Sequence, residues 1–197
     1  HFQITRAQST IYIQPLEENI DLGLAAEKME HIFGLAAFSR AAVCPKDFEQ
    51  IKALAPIYLA NTLNDVKSFK VEAKRADKRF PMTSPEISRE LGGWLLENFP
   101  HLEVDVHNPQ ATITVEIREQ NAYIHDKKIQ GAGGMPVSSS GKAALLISGG
   151  IDSPVAAYMM AKRGLELTAI HFFSPPYTSE RAKIKVLDLL NKLSAYC

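Results

Sequence analysis

The stretch that decides the fold is Ser148-Gly149-Gly150-Ile151-Asp152-Ser153, which joins an apolar run over residues 144–147 to a helical pattern over residues 153–163. Gly149 and Gly150 carry no Cβ, so the turn can take positive φ and bring backbone N–H groups close to an anion. Ser153 reads as the N-cap of the helix, and Pro154 fits its first turn, where the missing N–H costs nothing. The helix N-terminus adds potential equivalent to roughly half a positive charge. Such a turn is suited to holding phosphate. Val155, Ala156, Met159 and Met160 form the expected buried stripe, Lys162 and Arg163 complement the C-terminal end, and Gly164 supplies the stop. A second apolar strand over residues 165–172 completes a βαβ unit, with a right-handed crossover and a ligand site at the carboxyl ends of its strands.

Other phosphate-binding signatures do not fit. A Walker A loop ending at Gly141-Lys142 would need glycine where Pro136 stands and Ser or Thr where Ala143 stands. Ser139-Ser140-Gly141-Lys142 matches S-x-x-K, but neither S-D-N nor K-T-G accompanies it. The loop also lacks the glycine spacing of a dinucleotide fingerprint. What residues 148–153 do resemble is the S-G-G-x-D-S signature of the PP-loop ATP pyrophosphatases, which cleave ATP between the α and β phosphates. The longer string from Leu145 to Tyr158, followed by Lys162-Arg163-Gly164 and by His171-Phe172-Phe173-Ser174-Pro175-Pro176, resembles the ThiI family of tRNA 4-thiouridine synthetases, or tRNA sulfurtransferases. Ile151, Pro154 and the His-Phe-x-Ser-Pro-Pro run separate it from relatives of the GMP synthetase type.

Composition is that of a globular chain: 197 residues, 46% hydrophobic and 22% charged, enough for one to two domains. No apolar run reaches the roughly 18–20 residues needed to span a bilayer. Two cysteines, Cys44 and Cys197, are too few for a disulfide framework or a zinc site, and the six histidines lack metal-ligand spacing. Cys44 follows an apolar run and reads as a buried small hydrophobe, while Cys197 ends a helix bearing Leu189, Leu190 and Leu193. The chain starts at His1 and stops at Cys197, and it is expected to be a piece of a longer protein.

Upstream, the pattern predicts a strand over 9–16, a helix over 21–33, a strand over 35–43 and a helix over 47–63 that Pro56 kinks or divides. A strand over 69–73 follows, then a helix opened by Ser84-Pro85-Glu86, with Ile87, Leu91, Trp94 and Leu95 on one face. Trp94 reads as core. Strands over 102–106, 111–117 and 122–125 complete an α+β module, with a turn at Gln120-Asn121. The glycine- and serine-rich stretch from Gly131 to Gly141 reads as a flexible linker.

Net charge is zero, with 22 basic and 22 acidic residues, so the whole chain does not announce a nucleic-acid binder. Lys67, Lys70, Lys74, Arg75, Lys78 and Arg79, by contrast, crowd a segment holding only Glu72 and Asp77 as acids. The cluster could neutralise several phosphates, or it could be a solvated basic loop. Residues 69–81 with the Thr83-Ser84-Pro85-Glu86-Ile87 helix start resemble the THUMP domain of the ThiI family. The fold class implied is an α+β THUMP domain, preceded by a remnant of a ferredoxin-like domain. The first βαβ unit of an α/β PP-loop domain, of the adenine nucleotide alpha hydrolase type, follows it. The boundaries are 1–23 for the remnant, 24–128 for THUMP, 129–143 for the linker and 144–197 for a truncated PP-loop domain.

The resemblance implies a two-step reaction in the cytoplasm. ATP adenylates a tRNA uridine (position 8 in this family), and persulfide sulfur then displaces AMP to give 4-thiouridine. It also implies sulfur transfer toward the thiazole of thiamine, a cysteine desulfurase as sulfur donor, and a sulfur-carrying cysteine beyond this chain. Asp152 and Ser153 are the implied catalytic residues, with Asp152 holding Mg²⁺, though a capping role for Asp152 stays open. ATP would lie against Leu146, Ile147, Ser148, Gly149, Gly150, Ile151, Asp152, Ser153, His171 and Phe172. The tRNA acceptor end would meet Lys70, Lys74, Arg75, Lys78 and Arg79. Two alternatives stand: an RNA-binding module without catalysis, and a PP-loop amide-forming ligase, against which the basic segment argues. Homodimerisation is left open, and no membrane partner is expected.

Overall fold

The computed structural model describes residues 1–7, 10–17 and 19–196. In chain order its elements are β1 (Phe2–Ala7), β2 (Thr10–Pro15), α1 (Leu22–Glu30), β3 (Ala37–Phe38), β4 (Ala42–Pro45) and α2 (Phe48–Asn64). Then come β5 (Ser68–Arg75), α3 (Ser84–Asn98), β6 (Glu103–Val104), β7 (Ala111–Ile117), β8 (Asn121–His125) and β9 (Ile129–Gln130). The chain closes with β10 (Lys142–Leu146), α4 (Asp152–Lys162), β11 (Glu166–Ile170) and α5 (Glu180–Ser194). They form two compact units: His1–Ala37 with Gln130–Cys197, and Phe38–Ile129. No described helix is long and apolar enough to cross a membrane.

The unit Phe38–Ile129 is built on a five-stranded sheet of order β4-β8-β7-β5-β6. β5 runs parallel to β7, from Phe69 opposite Ala111 to Arg75 opposite Ile117, while β8 is antiparallel to both β7 and β4. The apolar spacing i, i+4 puts Ile51, Ala55, Leu59 and Leu63 on one stripe of α2 and Ile87, Leu91 and Leu95 on one stripe of α3. These stripes pack against Phe69, Ile113, Val115, Ile117 and Ile124 of the sheet, all fully buried. Burying each such side chain contributes about 1.5–3 kcal/mol, and this is the main core of the protein.

Pro56 does not divide α2 into two elements; the helix runs through it. A proline has no N–H to give the carbonyl four residues back, which here is Lys52 O. The indole Nε1–H of Trp94 supplies that donor instead, at 2.9 Å, and the Lys52 ammonium lies 5.1 Å from the Trp94 ring centroid. Trp94→Phe is therefore expected to destabilise this unit by about 1–2 kcal/mol, the cost of an orphaned carbonyl. Adding Pro56→Ala should recover part of that loss, because the new amide can serve Lys52; urea titrations followed by circular dichroism check both.

The predicted start of α3 is present: the Glu86 carboxylate accepts from the Thr83 backbone N–H (2.7 Å) and from its hydroxyl (2.8 Å). The single strand expected over 35–43 is two short ones, β3 and β4, with residues 39–41 between them in neither. The strand expected over 102–106 shrinks to β6. Cys44 is buried, as expected. Cys197 and Ser9, which carried readings above, lie outside the described residues.

In the other unit β1 and β2 form an antiparallel hairpin, and β10 and β11 are parallel, with Leu146 opposite Ile170. The buried stripe of α4 is not the expected one. Ala157 and Ala161 are buried, whereas Val155, Met159 and Met160 are exposed. The small residues face the strands and α5, where close approach favours alanine. Phe33 is buried against Tyr158 and Tyr196, with centroids 5.2 and 5.5 Å away.

The glycine-rich stretch is not a flexible linker within this unit. Gly131 N–H donates to Ala36 O, Gly133 N–H to Leu35 O, Gly34 N–H to Gly133 O and Met135 N–H to Lys162 O, all within 3.0 Å. Gly134, at φ +77°, lies so close to Lys162 O that a Cβ would collide with it. Its glycines allow close backbone approach where the sequence suggested looseness.

Candidate functional site

β10 leads into the turn at Ile147, whose N–H donates to Ile170 O at 2.9 Å and extends the parallel ladder by one residue. The turn then closes through Ser153: its Oγ accepts from Ser148 N–H at 3.2 Å, and Ser148 Oγ accepts from Gly150 N–H at 3.4 Å. Ser153 is therefore not the N-cap; α4 begins one residue earlier at Asp152, with Ile151 in the capping position and no side-chain cap. Neither Gly149 nor Gly150 has positive φ, in contrast to the expectation from sequence. Ordinary contacts would surround a Cβ at either position, at 3.7 and 3.5 Å. The first-turn N–H groups of α4 have no intrahelical acceptor.

At the end of β11, His171 is half-buried and its Nδ1 lies 2.9 Å from Ile147 O. Because a carbonyl only accepts, Nδ1 carries the proton in that contact, and Nε2 is left as the acceptor of a neutral ring. This Nε2 is buried and has no hydrogen-bond partner among the described residues. An orphaned acceptor beside a glycine turn fits the hydroxyl or amino donors of a nucleoside. Phe172 and Leu146 are exposed, at 72% and 63%, and free to meet a ligand, whereas the Ile147 side chain is buried at 4%. Only the backbone of Ile147 can take part.

Asp152 is exposed at the first position of α4. No three acidic, histidine or cysteine residues stand together as a metal cluster among the described residues. One carboxylate beside an anion-accepting turn suits Mg²⁺ held jointly by protein and substrate phosphates. An all-protein metal cage is not present among the described residues.

In the sheet unit the basic segment divides into committed and open cations. Arg75 Nη1 donates to Phe80 O (3.0 Å) and Met82 O (2.9 Å), bracing the turn after β5. Arg79 holds buried Asp77 through Nε (3.1 Å) and Nη2 (3.2 Å), while Lys46 Nζ reaches Asp77 at 2.6 Å and Glu119 O at 2.7 Å. The Arg79 hydrogen bonds, followed by that of Lys46, hold the Asp77 carboxyl well below the usual carboxylate range. Lys70 pairs with Glu72 at 2.6 Å. Lys74 and Lys78 are exposed. Lys46, which the sequence reading missed, joins Asp77, Arg79, Phe80 and Pro81 around a shallow concavity of about 380 Å³. Its contact spans 31 positions, beyond the reach of local pattern reading.

A two-helix α+β sheet bearing a basic turn, together with a parallel βαβ turn of S-G-G-x-D-S type, defines a protein combining a THUMP domain with a PP-loop nucleotide unit. The THUMP domain model matches residues 45–125, and the model of the thiamine biosynthesis protein (ThiI) matches residues 138–197. Over these two segments the chain is similar to the THUMP domain and to the ThiI family. It is 52% identical over 197 residues to a probable tRNA sulfurtransferase of Acetivibrio thermocellus, covering 99% of this chain and 50% of that protein. A probable tRNA sulfurtransferase of Alkaliphilus metalliredigens is 48% identical with the same coverage of both chains. A solved 4-thiouridine synthetase–RNA complex with bound ATP superposes with a TM-score of 0.89 at 38% identity, covering 100% of this chain and 51% of that one. The chain spans about half the length of the curated relatives it matches.

Proposed function

We propose that the protein of which this chain forms part is a tRNA sulfurtransferase that makes 4-thiouridine. The observation that carries the reading is the turn at residues 148–153 at the start of α4, with the unpartnered Nε2 of His171 beside it. The uridine carbonyl oxygen attacks the α-phosphorus of ATP, the bond to the β-phosphate bridging oxygen breaks, and pyrophosphate leaves with that electron pair. The outer sulfur of a cysteine persulfide then attacks the adenylated carbonyl carbon, and AMP leaves with the C–O electron pair. A second thiol attacks the inner sulfur, so that the S–S bond breaks, 4-thiouridine is released and a disulfide forms. The backbone amides of Gly149, Gly150 and Ile151, with the hydroxyls of Ser148 and Ser153, would receive the phosphates as charge develops. Leu146, Ile147 through its backbone, His171 and Phe172 would hold the adenosine. Mg²⁺, held by Asp152 and the phosphates, would neutralise charge on the leaving group.

In this reading tRNA docks by its acceptor end on Lys70, Lys74, Lys78 and Arg79, with Arg75 shaping the turn that presents them. A cysteine desulfurase supplies sulfur, and the work takes place in the cytoplasm. Transfer toward the thiazole of thiamine is a second outlet for the same sulfur, suggested by the name of the matching family model. The domain limits that go with this reading are 24–128 for THUMP and 144–197 for the PP-loop part, with 129–143 between them.

The test is product formation by the full-length protein from unmodified tRNA, ATP, Mg²⁺ and a persulfide donor, read as thiouridine absorbance. Lys74→Glu/Lys78→Glu should weaken tRNA binding about tenfold or more and flatten its salt dependence by about two charges. Binding of tRNA by the wild type with no ATP-dependent product would leave an RNA-binding module and remove the enzyme.

A further inference from the structure

The sequence reading left α5 without a role, yet this helix brings a cation to the phosphate turn. A Cβ placed on Gly149 would stand 3.7 Å from Cδ of Lys185, so the stem of this lysine runs beside the first glycine of the turn. The helix is locked in rotation: Ser179 Oγ caps it by accepting from Ala182 N–H at 3.3 Å, and Val186, next to Lys185, is buried at 2%. Lys185 itself is exposed, and its ammonium makes no hydrogen bond or ion pair with any described residue. Two other lysines of this unit have partners. Lys183 lies over the Phe173 ring at 5.3 Å, and Lys142 is bound to Glu166 at 2.9 Å.

We infer that Lys185 binds the pyrophosphate end of ATP, the β- and γ-phosphates, and stabilises the leaving group as the bond to the α-phosphorus breaks. This inference rests on the reading of residues 148–153 as a nucleotide site. A compact ammonium on a flexible stem suits a polyphosphate as a point charge. It also offsets the charge of Asp152, which by itself would repel the phosphates. The assignment separates two ends of one ligand: Lys185 serves the pyrophosphate, His171 and Phe172 the nucleoside.

The experiment uses the full-length protein with ATP, AMP and inorganic pyrophosphate as separate probes in equilibrium titrations with Mg²⁺. Lys185→Met is expected to weaken ATP and pyrophosphate about tenfold while AMP affinity stays within twofold. Lys185→Arg should keep ATP and pyrophosphate within about threefold of wild type. Unchanged pyrophosphate affinity in Lys185→Met, with all three probes bound by wild type, overturns the assignment of Lys185 alone. An equal loss for all three probes, with a lowered melting temperature, overturns it as well by showing a structural role. Wild type that binds none of the probes overturns the inference together with the nucleotide site beneath it.

Discussion

Asp152→Ala in the full-length protein is expected to slow ATP-dependent thiolation by about 10²–10³-fold while leaving tRNA affinity within twofold. The magnitude is that of removing one preorganised charge-stabilising group from a developing anion. The fold should survive, because Asp152 is exposed and its contribution to α4 is a first-turn acid at the helix N-terminus, worth about 0.3–1 kcal/mol. Asp152→Asn discriminates charge from hydrogen bonding: it keeps a polar group of the same shape and removes the negative charge. If metal binding is the role, the two variants lose activity equally and excess Mg²⁺ rescues neither fully. A thiolation rate within twofold of wild type in Asp152→Ala would falsify the metal assignment and leave the residue as a helix-terminus acid.

The second large effect is on stability. Gly134→Ala should cost about 3 kcal/mol or more, because it forces an L side chain into φ +77° and drives its Cβ into the carbonyl oxygen of Lys162. The loss should be confined to one unit. Trp94 is the only tryptophan of the 197 residues and belongs to the unit Phe38–Ile129, so its fluorescence reports that unit alone. In denaturant titrations of this chain, the variant is expected to shift an early transition seen by far-ultraviolet circular dichroism. The tryptophan midpoint should stay in place. A coincident shift of both signals would mean that the two units unfold as one, and that the damage at Gly134 is not local.

Features held by local chemistry were legible in the sequence. β7 falls on residues 111–117 because every second residue is apolar and faces the core, and α3 starts at its capping pair. The turn between β10 and α4 was legible because Gly149-Gly150 and Ser153-Pro154 mark the end of a strand and the start of a helix. Features decided by distant contacts were not legible. β1 went unread because its side chains are nearly all exposed and carry no burial alternation. Pro56 sits inside a helix because a tryptophan 38 positions later replaces its hydrogen bond, and no window around residue 56 contains that information. The choice of Ala157 and Ala161 over Met159 and Met160 depends on what packs against α4, which hydrophobicity does not rank. Within the turn, the hydrogen bonds of Ser148 and Ser153 were not legible, nor was the approach of Lys185 to Gly149, because they depend on how the turn closes and where α5 sits.

The stitch between Gly34 and Gly133 also sets an order in time. The segment ending at Ala37 leaves the ribosome first, but its hydrogen-bonding partners from Gly131 onward follow only after the 92 residues from Phe38 to Ile129. At 5–20 residues per second this is a wait of about 5 to 18 s. Throughout it, Gly34 N–H and the carbonyls of Leu35 and Ala36 lack their later partners, while the intervening sheet, whose core is entirely its own, can complete itself. Biogenesis of this chain thus runs from the inserted middle outward, and the short segment from Gly34 to Ala36 is the part that must wait.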